Sequence, residues 1–218
     1  GEKFKILSKN KSWIKIKTLF DNYKGFIKNS KYIEKFSPHY KVSSLKARIF
    51  KKPGIRTNTW LPLSSKLSIL DQNKNYIKIE KNKWIKKKDI KKFNHKDKNF
   101  VKIFTKFLNV KYVWGGKTYK GIDCSALLQI FFNYNNLFYP RDTKDQIKYT
   151  KKNSKNRKFK KGDIIFWKGH VAMCLNSKKL IHAYGPKKKV IIMPIIKTIN
   201  RIQQTAKLKV KKISTIKY

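Results

Sequence analysis

Tyr112-Val113-Trp114-Gly115-Gly116, then Gly121-Ile122-Asp123-Cys124-Ser125, then a mostly apolar run to Phe132, is the stretch on which the reading of this chain turns. The glycines break the backbone. Asp123 is a good N-cap for a helix carrying Leu127, Leu128, Ile130 and Phe131. Cys124 then falls in the first helical turn, where free N–H groups and the helix dipole favour an anion. A thiol must become a thiolate to attack a carbonyl, and the same N–H groups can supply part of an oxyanion hole. The expectation is a nucleophilic cysteine with its anion stabilised by the helix start.

Such a nucleophile needs a base, and the base needs a group to fix its tautomer. Only two histidines follow Cys124, namely His170 and His182, both in strand-like segments. His170 comes after Trp167-Lys168-Gly169 and opens a strand, so the turn can present its ring toward the helix end. His182 lies in Leu180-Ile181-His182-Ala183 and reads as the inner, orienting member. One such histidine alone would read as a core or turn residue. Two of the four in the chain, both downstream of a helix-start cysteine, read as catalytic. His39 and His95 sit in linker-like segments and are given no role. The spacings match no zinc pattern, so neither metal nor cofactor is expected. The second cysteine, Cys174 in Val171-Ala172-Met173-Cys174-Leu175, reads as a packed strand residue and not a disulfide partner.

Around this centre the pattern is that of an α+β domain. Phe100, Val101, Phe104, Phe107 and Leu108 share one helical face. After Pro140-Arg141, Asp142 or Thr143 can cap a helix to Tyr149. Short β runs follow at Ile164–Trp167, His170–Leu175, Leu180–Ala183 and Val190–Met193. Upstream the period is different and repeats. Residues 3–16 align without gaps on 66–79 with eight of fourteen positions identical, and each copy then reaches an aromatic-Ile pair, Phe26-Ile27 and Trp84-Ile85. Short alternating strands closing on polar turns predict small β-barrels.

Composition bounds the rest. The 218 residues carry 56 Lys+Arg against 11 Asp+Glu, a net charge of +45. A field of that size attracts any anionic polymer without a dedicated site. Lys, Ile, Asn, Phe and Tyr are raised together, as AT-rich coding produces, and the basic residues are spread along the whole chain. The charge therefore reads as background, with non-specific polyanion binding but no specific nucleic-acid partner. No segment approaches the roughly 18 apolar residues of a membrane span. Against this background the rare residues stand out: six of nine glycines lie between Gly115 and Gly185, and Asp123, Asp142, Asp145 and Asp163 each lie beside a turn or a helix start.

In order, Tyr-x-Trp-Gly-Gly, Gly-x-Asp-Cys-Ser, Pro-Arg-Asp-x-x-x-Gln (Pro140 to Gln146), Gly-Asp-Ile-Ile-Phe-Trp (Gly162 to Trp167), His170-Val171 and Ile181-His182-Ala183 resemble the NlpC/P60 cell-wall cysteine peptidases. Residues 42–93 are similar to bacterial SH3-type domains through Leu45-Lys46-Ala47-Arg48, Pro53-Gly54, Leu61-Pro62-Leu63, Tyr76-Ile77-Lys78-Ile79 and Trp84-Ile85. The resemblance implies a papain-like catalytic domain over 96–218, preceded by one SH3-type barrel at 42–93 and a partial one at 1–36, with further sequence expected ahead of Gly1. It implies hydrolysis of the γ-D-glutamyl–diamino acid bond of peptidoglycan stem peptides through an acyl-enzyme. The roles it implies are Cys124 as nucleophile, His170 as base and acid, and His182 as orienter. Tyr112 would sit beside the thiol and assist the oxyanion. Asp123 and Ser125 would line the substrate end, with Asp123 meeting a substrate ammonium in relatives that take a free N-terminal L-Ala. Tyr23, in a five-residue hairpin insertion of the first copy, would match a tyrosine that relatives lean over the cleft. Trp114 is expected to pack, and Arg141 and Gln146 to brace the helix.

Ala126 departs from the family's usual glycine but is small and a better helix former. The expected partners are muropeptides, met by a monomer working in cell-wall recycling in the cytoplasm rather than secreted. A non-catalytic envelope-binding protein and a Cys-His acyltransferase are the alternatives, since the same site residues occur with other chemistry.

Overall fold

The structure, a computed structural model, describes residues 1–30, 32, 35–151 and 158–216. Residues 31, 33 and 34 of the expected first copy, and 152–157 and 217–218 of the expected third domain, lie outside that description. The chain forms two compact units, Gly1–Lys96 and Asp97–Tyr218.

The N-terminal unit is all β. Its strands are β1 (Phe4–Lys9), β2 (Trp13–Thr18), β3 (Lys24–Lys28), β4 (Tyr40–Val42), β5 (Lys46–Lys52), β6 (Ile55–Pro62), β7 (Lys66–Leu67), β8 (Asp71–Gln72), β9 (Tyr76–Glu80), β10 (Lys83–Lys86) and β11 (Ile90–Lys92). Alternation sets their faces: Ile14 and Ile16 are buried in β2 while Trp13 and Lys15 are exposed. The strands make three open sheets, ordered β1-β2-β3, β6-β5-β10-β9-β8 and β11-β4-β7. No sheet closes on itself, so the expected barrels are not shown as such. The second and third sheets share a core of Val42, Ala47, Leu67, Ile77, Ile85 and Ile90. The arginine expected in an opening strand, Arg48, lies 4.0 Å over the Trp60 ring and donates to the Thr57 carbonyl at 2.7 Å.

The two sequence copies diverge in local structure. In the first, residues 4–9 form one continuous strand, whereas the matching part of the second is broken into β7 and β8. In the second, β9 and β10 are joined by Lys81-Asn82 with Asn82 at φ 57°. In the first, β2 and β3 are joined by the longer Leu19–Tyr23 segment, pinned by Thr18 Oγ1 donating to Asp21 and accepting from the Tyr23 N–H.

The C-terminal unit has the α+β architecture. It contains α1 (Phe100–Thr105), β12 (Lys117–Thr118), β13 (Gly121–Ile122), α2 (Cys124–Tyr134), α3 (Thr143–Tyr149), β14 (Asp163–Trp167), β15 (His170–Cys174), β16 (Lys179–Tyr184), β17 (Lys189–Pro194), α4 (Ile195–Ala206) and β18 (Lys212–Thr215). The five long strands form an antiparallel sheet ordered β17-β16-β15-β14-β18. On β15, Val171 and Met173 line a cleft with Leu127 and Leu128 of α2. The alternate residues Ala172 and Cys174 pack with Ile195 and Ile202 of α4. Cys174 is thus a buried packing residue outside any disulfide.

Two differences from expectation appear here. Helix α1 ends at Thr105, so Phe107 is buried from the following turn and Leu108 faces outward, with Asn109 at φ 63° ending the segment. Helix α4 and strand β18, unmarked in the sequence reading, supply a second layer and the sheet's outer strand.

Candidate active site

Cys124 is the first residue of α2, and Asp123 is its N-cap with Oδ1 accepting from the Ala126 N–H at 2.8 Å. The loop ahead of it depends on close backbone approach. A methyl group on Gly116 would stand 2.6 Å from the Gly121 carbonyl oxygen, and one on Gly121 would stand 2.3 Å from the Val113 side chain. Glycine at both positions lets the loop fold flat against the start of α2.

The Asp123 carboxylate is fully engaged. Its Oδ1 accepts from Ala126 N, Ser125 Oγ (3.1 Å) and Arg141 Nη1 (3.0 Å); its Oδ2 accepts from Gly115 N (2.9 Å) and Arg141 Nη2 (2.7 Å). Arg141 also donates to Ser125 Oγ at 2.9 Å. Both partners of this ion pair are about nine-tenths buried. A carboxylate offers about four lone-pair sites, and five donors already converge on this one. The expected contact between Asp123 and a substrate ammonium therefore finds no free acceptor here. Asp123, Ser125 and Arg141 instead form a strut tying the glycine loop, the helix start and the Pro140-Arg141 segment together. Gln146 completes it, donating to the Ser125 and Pro140 carbonyls at 2.9 Å each.

The Cys124 sulfur sits against the turn that carries His170. Its S–H points at the Gly169 carbonyl, 3.9 Å away. Burial pushes the thiol pKa up, opposed by hydrogen bonds from the Val171 backbone, the Thr143 side chain and the Ser125 backbone, while the Asp123 charge adds to the rise. The expectation of a thiolate stabilised by the helix start is thus corrected. Desolvation outweighs the helix-end donors, and the resting cysteine is a neutral thiol.

His170 opens β15 after a two-residue turn in which Gly169 has φ 74°. Its Nε2 lies 2.9 Å from His182 Nδ1 on the neighbouring strand β16. His182 is buried, stacks on the Tyr184 ring (centroids 4.6 Å, planes 11° apart), and places Nε2 3.4 Å from Met193 Sδ on β17. His182 and Cys124 line the same small cleft. Burial lowers the His170 pKa to about 4, and burial together with the neighbouring His170 holds His182 well below the usual imidazole range. Both rings are therefore neutral at pH 7, and their hydrogen bond has one donor and one acceptor.

This predicts an acid limb of stability. An unfolded histidine titrates near 6.5, above the folded values. The stability these rings contribute is complete above pH 6.5 and is lost as pH falls toward about 4. Each ring adds at most about 1.4 kcal/mol per pH unit to the slope, less for His170, whose edge reaches solvent. Urea unfolding curves between pH 6.5 and 5, above the main carboxylate range, should show this slope and should flatten in His182→Asn. An equal slope in the variant would refute the assignment.

Tyr112 is half-buried beside β13, with its N–H bonded to the Lys188 carbonyl and its ring facing Gly185. Burial, then the nearby Cys124 and Asp123, push its phenol up to about 12, so it remains a hydrogen-bond donor. Trp114, expected to pack, is instead 82% exposed because the Gly115-Gly116 turn carries it outward. Tyr23 belongs to the N-terminal unit and is half exposed. Sequence reasoning gave no role to Met193, offered Thr143 only as a helix cap, and treated Arg141 only as a brace. Proximity in space, invisible in the spacing, identifies all three.

Residues 109–208 match the family model described as the NlpC/P60 family. In the Bacillus subtilis γ-D-glutamyl-L-lysine dipeptidyl-peptidase, 101 residues are 33% identical, 43% of this chain and 34% of that protein. The probable endopeptidase NlpC homolog of Haemophilus influenzae is 32% identical over 90 residues, 40% of this chain and 49% of that one. The chain thus spans less than half the length of these curated relatives. An NlpC/P60 family protein from Bacillus cereus superposes with a TM-score of 0.75 over 89% of this chain and 75% of its own, at 22% identity, a likeness of fold. The match to the NlpC/P60 family model lies wholly within the C-terminal unit.

Proposed function

We propose that this protein is a cysteine peptidase that hydrolyses the γ-D-glutamyl–diamino acid amide of peptidoglycan stem peptides through an acyl-enzyme on Cys124. The observation that carries the reading is the seat of the Cys124 sulfur: Gly169 and Val171, on either side of His170, hold it, and His170 is hydrogen-bonded to His182. Relatives named as γ-D-glutamyl-L-lysine dipeptidyl-peptidases support the substrate class.

Because thiol and imidazole are both neutral at rest, proton transfer accompanies attack. His170 Nδ1 takes the Cys124 proton as sulfur bonds to the γ-carbonyl carbon, and the oxyanion forms near the start of α2, with the Tyr112 hydroxyl as a further donor. The imidazolium then protonates the leaving amine, the C–N bond breaks, and a thioester remains. Water, deprotonated by His170, cleaves the thioester and returns the thiol.

The N-terminal strands we assign to SH3-type modules, one over 42–93 and a partial one over 1–36, that help hold the wall polymer. The shared core of short antiparallel strands and the arginine stacked in the opening strand support this. Tyr23 remains a proposed substrate contact. The test is incubation of the protein with L-Ala-γ-D-Glu-L-Lys, L-Ala-γ-D-Glu-diaminopimelate and longer stem peptides, with products read by mass spectrometry. Release of L-Ala-D-Glu and the diamino acid fragment is expected; no product from a stem peptide of any length overturns the proposal.

A further inference from the structure

We propose that Met193 is a positioning residue that sets the tautomers of both histidines through its thioether. The inference rests on the Cys-His-His reading above and adds a member to it.

A thioether sulfur has no proton and can only accept. With Met193 Sδ 3.4 Å from His182 Nε2, that nitrogen must carry the hydrogen to make the contact favourable. In the neutral ring Nδ1 is then bare. His182 Nδ1 lies 2.9 Å from His170 Nε2, so His170 must donate across that bond. A neutral His170 with its hydrogen on Nε2 has its lone pair on Nδ1, the nitrogen needed to accept the thiol proton.

The opposite arrangement is equally well hydrogen-bonded within the histidine pair. His182 Nδ1–H would donate to His170 Nε2, and His170 would present an N–H on Nδ1 where a base is required. Nothing in the pair itself selects between the two. Two other neighbours do not select either: Tyr184 meets His182 face to face, and Cys124 lines the same cleft from α2. Met193 is nine-tenths buried on β17, diagonal to His182 across the β16–β17 ladder, and supplies the asymmetry. Of the titratable groups around His182, Tyr184 stacks on its face, His170 meets its Nδ1 and Cys124 lines the same cleft, while Met193 Sδ lies against Nε2.

The test is nitrogen NMR of the full chain labelled at histidine, together with kinetics. Wild type should show His182 and His170 each protonated on Nε2 and bare on Nδ1 at pH 7. Met193→Leu, similar in volume and without an acceptor, should shift the His182 signals toward a mixture. It should lower kcat by about 3- to 10-fold with KM unchanged, the effect of one modest hydrogen bond on the fraction of competent enzyme. In a His182→Ala background the same substitution should cost nothing further. Wild-type His182 protonated on Nδ1 overturns the proposal, and so does a Leu variant with unchanged nitrogen shifts and kcat. The wild-type spectrum needs no substrate, so it decides the point even where the variant does not fold. Expected tautomers in a protein that cleaves no stem peptide would retain Met193's role and remove only the peptidase reading.

Discussion

Cys124→Ala is expected to abolish cleavage of stem peptides, lowering kcat by at least about 10⁴-fold. Removing the nucleophile of a concerted catalytic set costs nearly as much as removing the whole set. What survives is positioning and oxyanion stabilisation, which are insufficient without a covalent step. The variant should fold, because Cys124 is buried as a neutral thiol and no ion pair depends on it. It should still bind substrate, so calorimetric titration with stem peptide would give a dissociation constant close to wild type. Cys124→Ser should be nearly as inactive, since an alcohol is far harder to deprotonate in the same dry pocket. Residual activity within about tenfold of wild type would show that the chemistry runs elsewhere.

The largest effect on stability is expected at Arg141. Its guanidinium forms a two-pronged pair with Asp123, both side chains being about 9% exposed, and it also reaches Ser125 and the Gly116 carbonyl. Arg141→Met should cost about 3–5 kcal/mol, because it leaves the Asp123 carboxylate buried without its counter-charge. Asp123→Asn combined with Arg141→Met should recover part of that loss, since no net charge then remains in the site. Urea unfolding of wild type and the two variants measures both the loss and its recovery. A single Arg141→Met loss under about 1 kcal/mol would mean that the strut contributes little. Activity should fall with stability, since the strut fixes the loop and the helix start that present the thiol.

Much of the site's placement was legible because its residues are rare against a Lys- and Ile-rich background. Asp123 could be read as a cap, Cys124 as a helix start, and His170 and His182 as strand residues, from local pattern alone. The energetic sign at Cys124 was not legible, because burial by α2 and the sheet is a tertiary property that overrides a local helix-end effect. The partners of Arg141 lie 16 and 18 positions away, and Met193 meets His182 across a ladder eleven positions apart. Neither separation has a period that marks it. Trp114 misled for a related reason: an aromatic in an apolar-looking loop suggests packing, but the glycine turn beside it decides its direction. Strand β18, Lys-Ile-Ser-Thr, resembles many other stretches of this chain and gains its identity only by pairing with β14.

That last pairing bears on where the C-terminal unit can be cut. The family match ends at residue 208, before β18, yet Asp163–Phe166 is hydrogen-bonded along its length to Lys212–Thr215. Strand β14 leads directly through the Lys168-Gly169 turn into His170. A fragment trimmed to the family boundary would leave β14 as an edge strand with a bare margin, open to pairing with another molecule. For anyone isolating the C-terminal unit, the limit set by backbone pairing lies past Thr215, several residues beyond the limit set by sequence likeness.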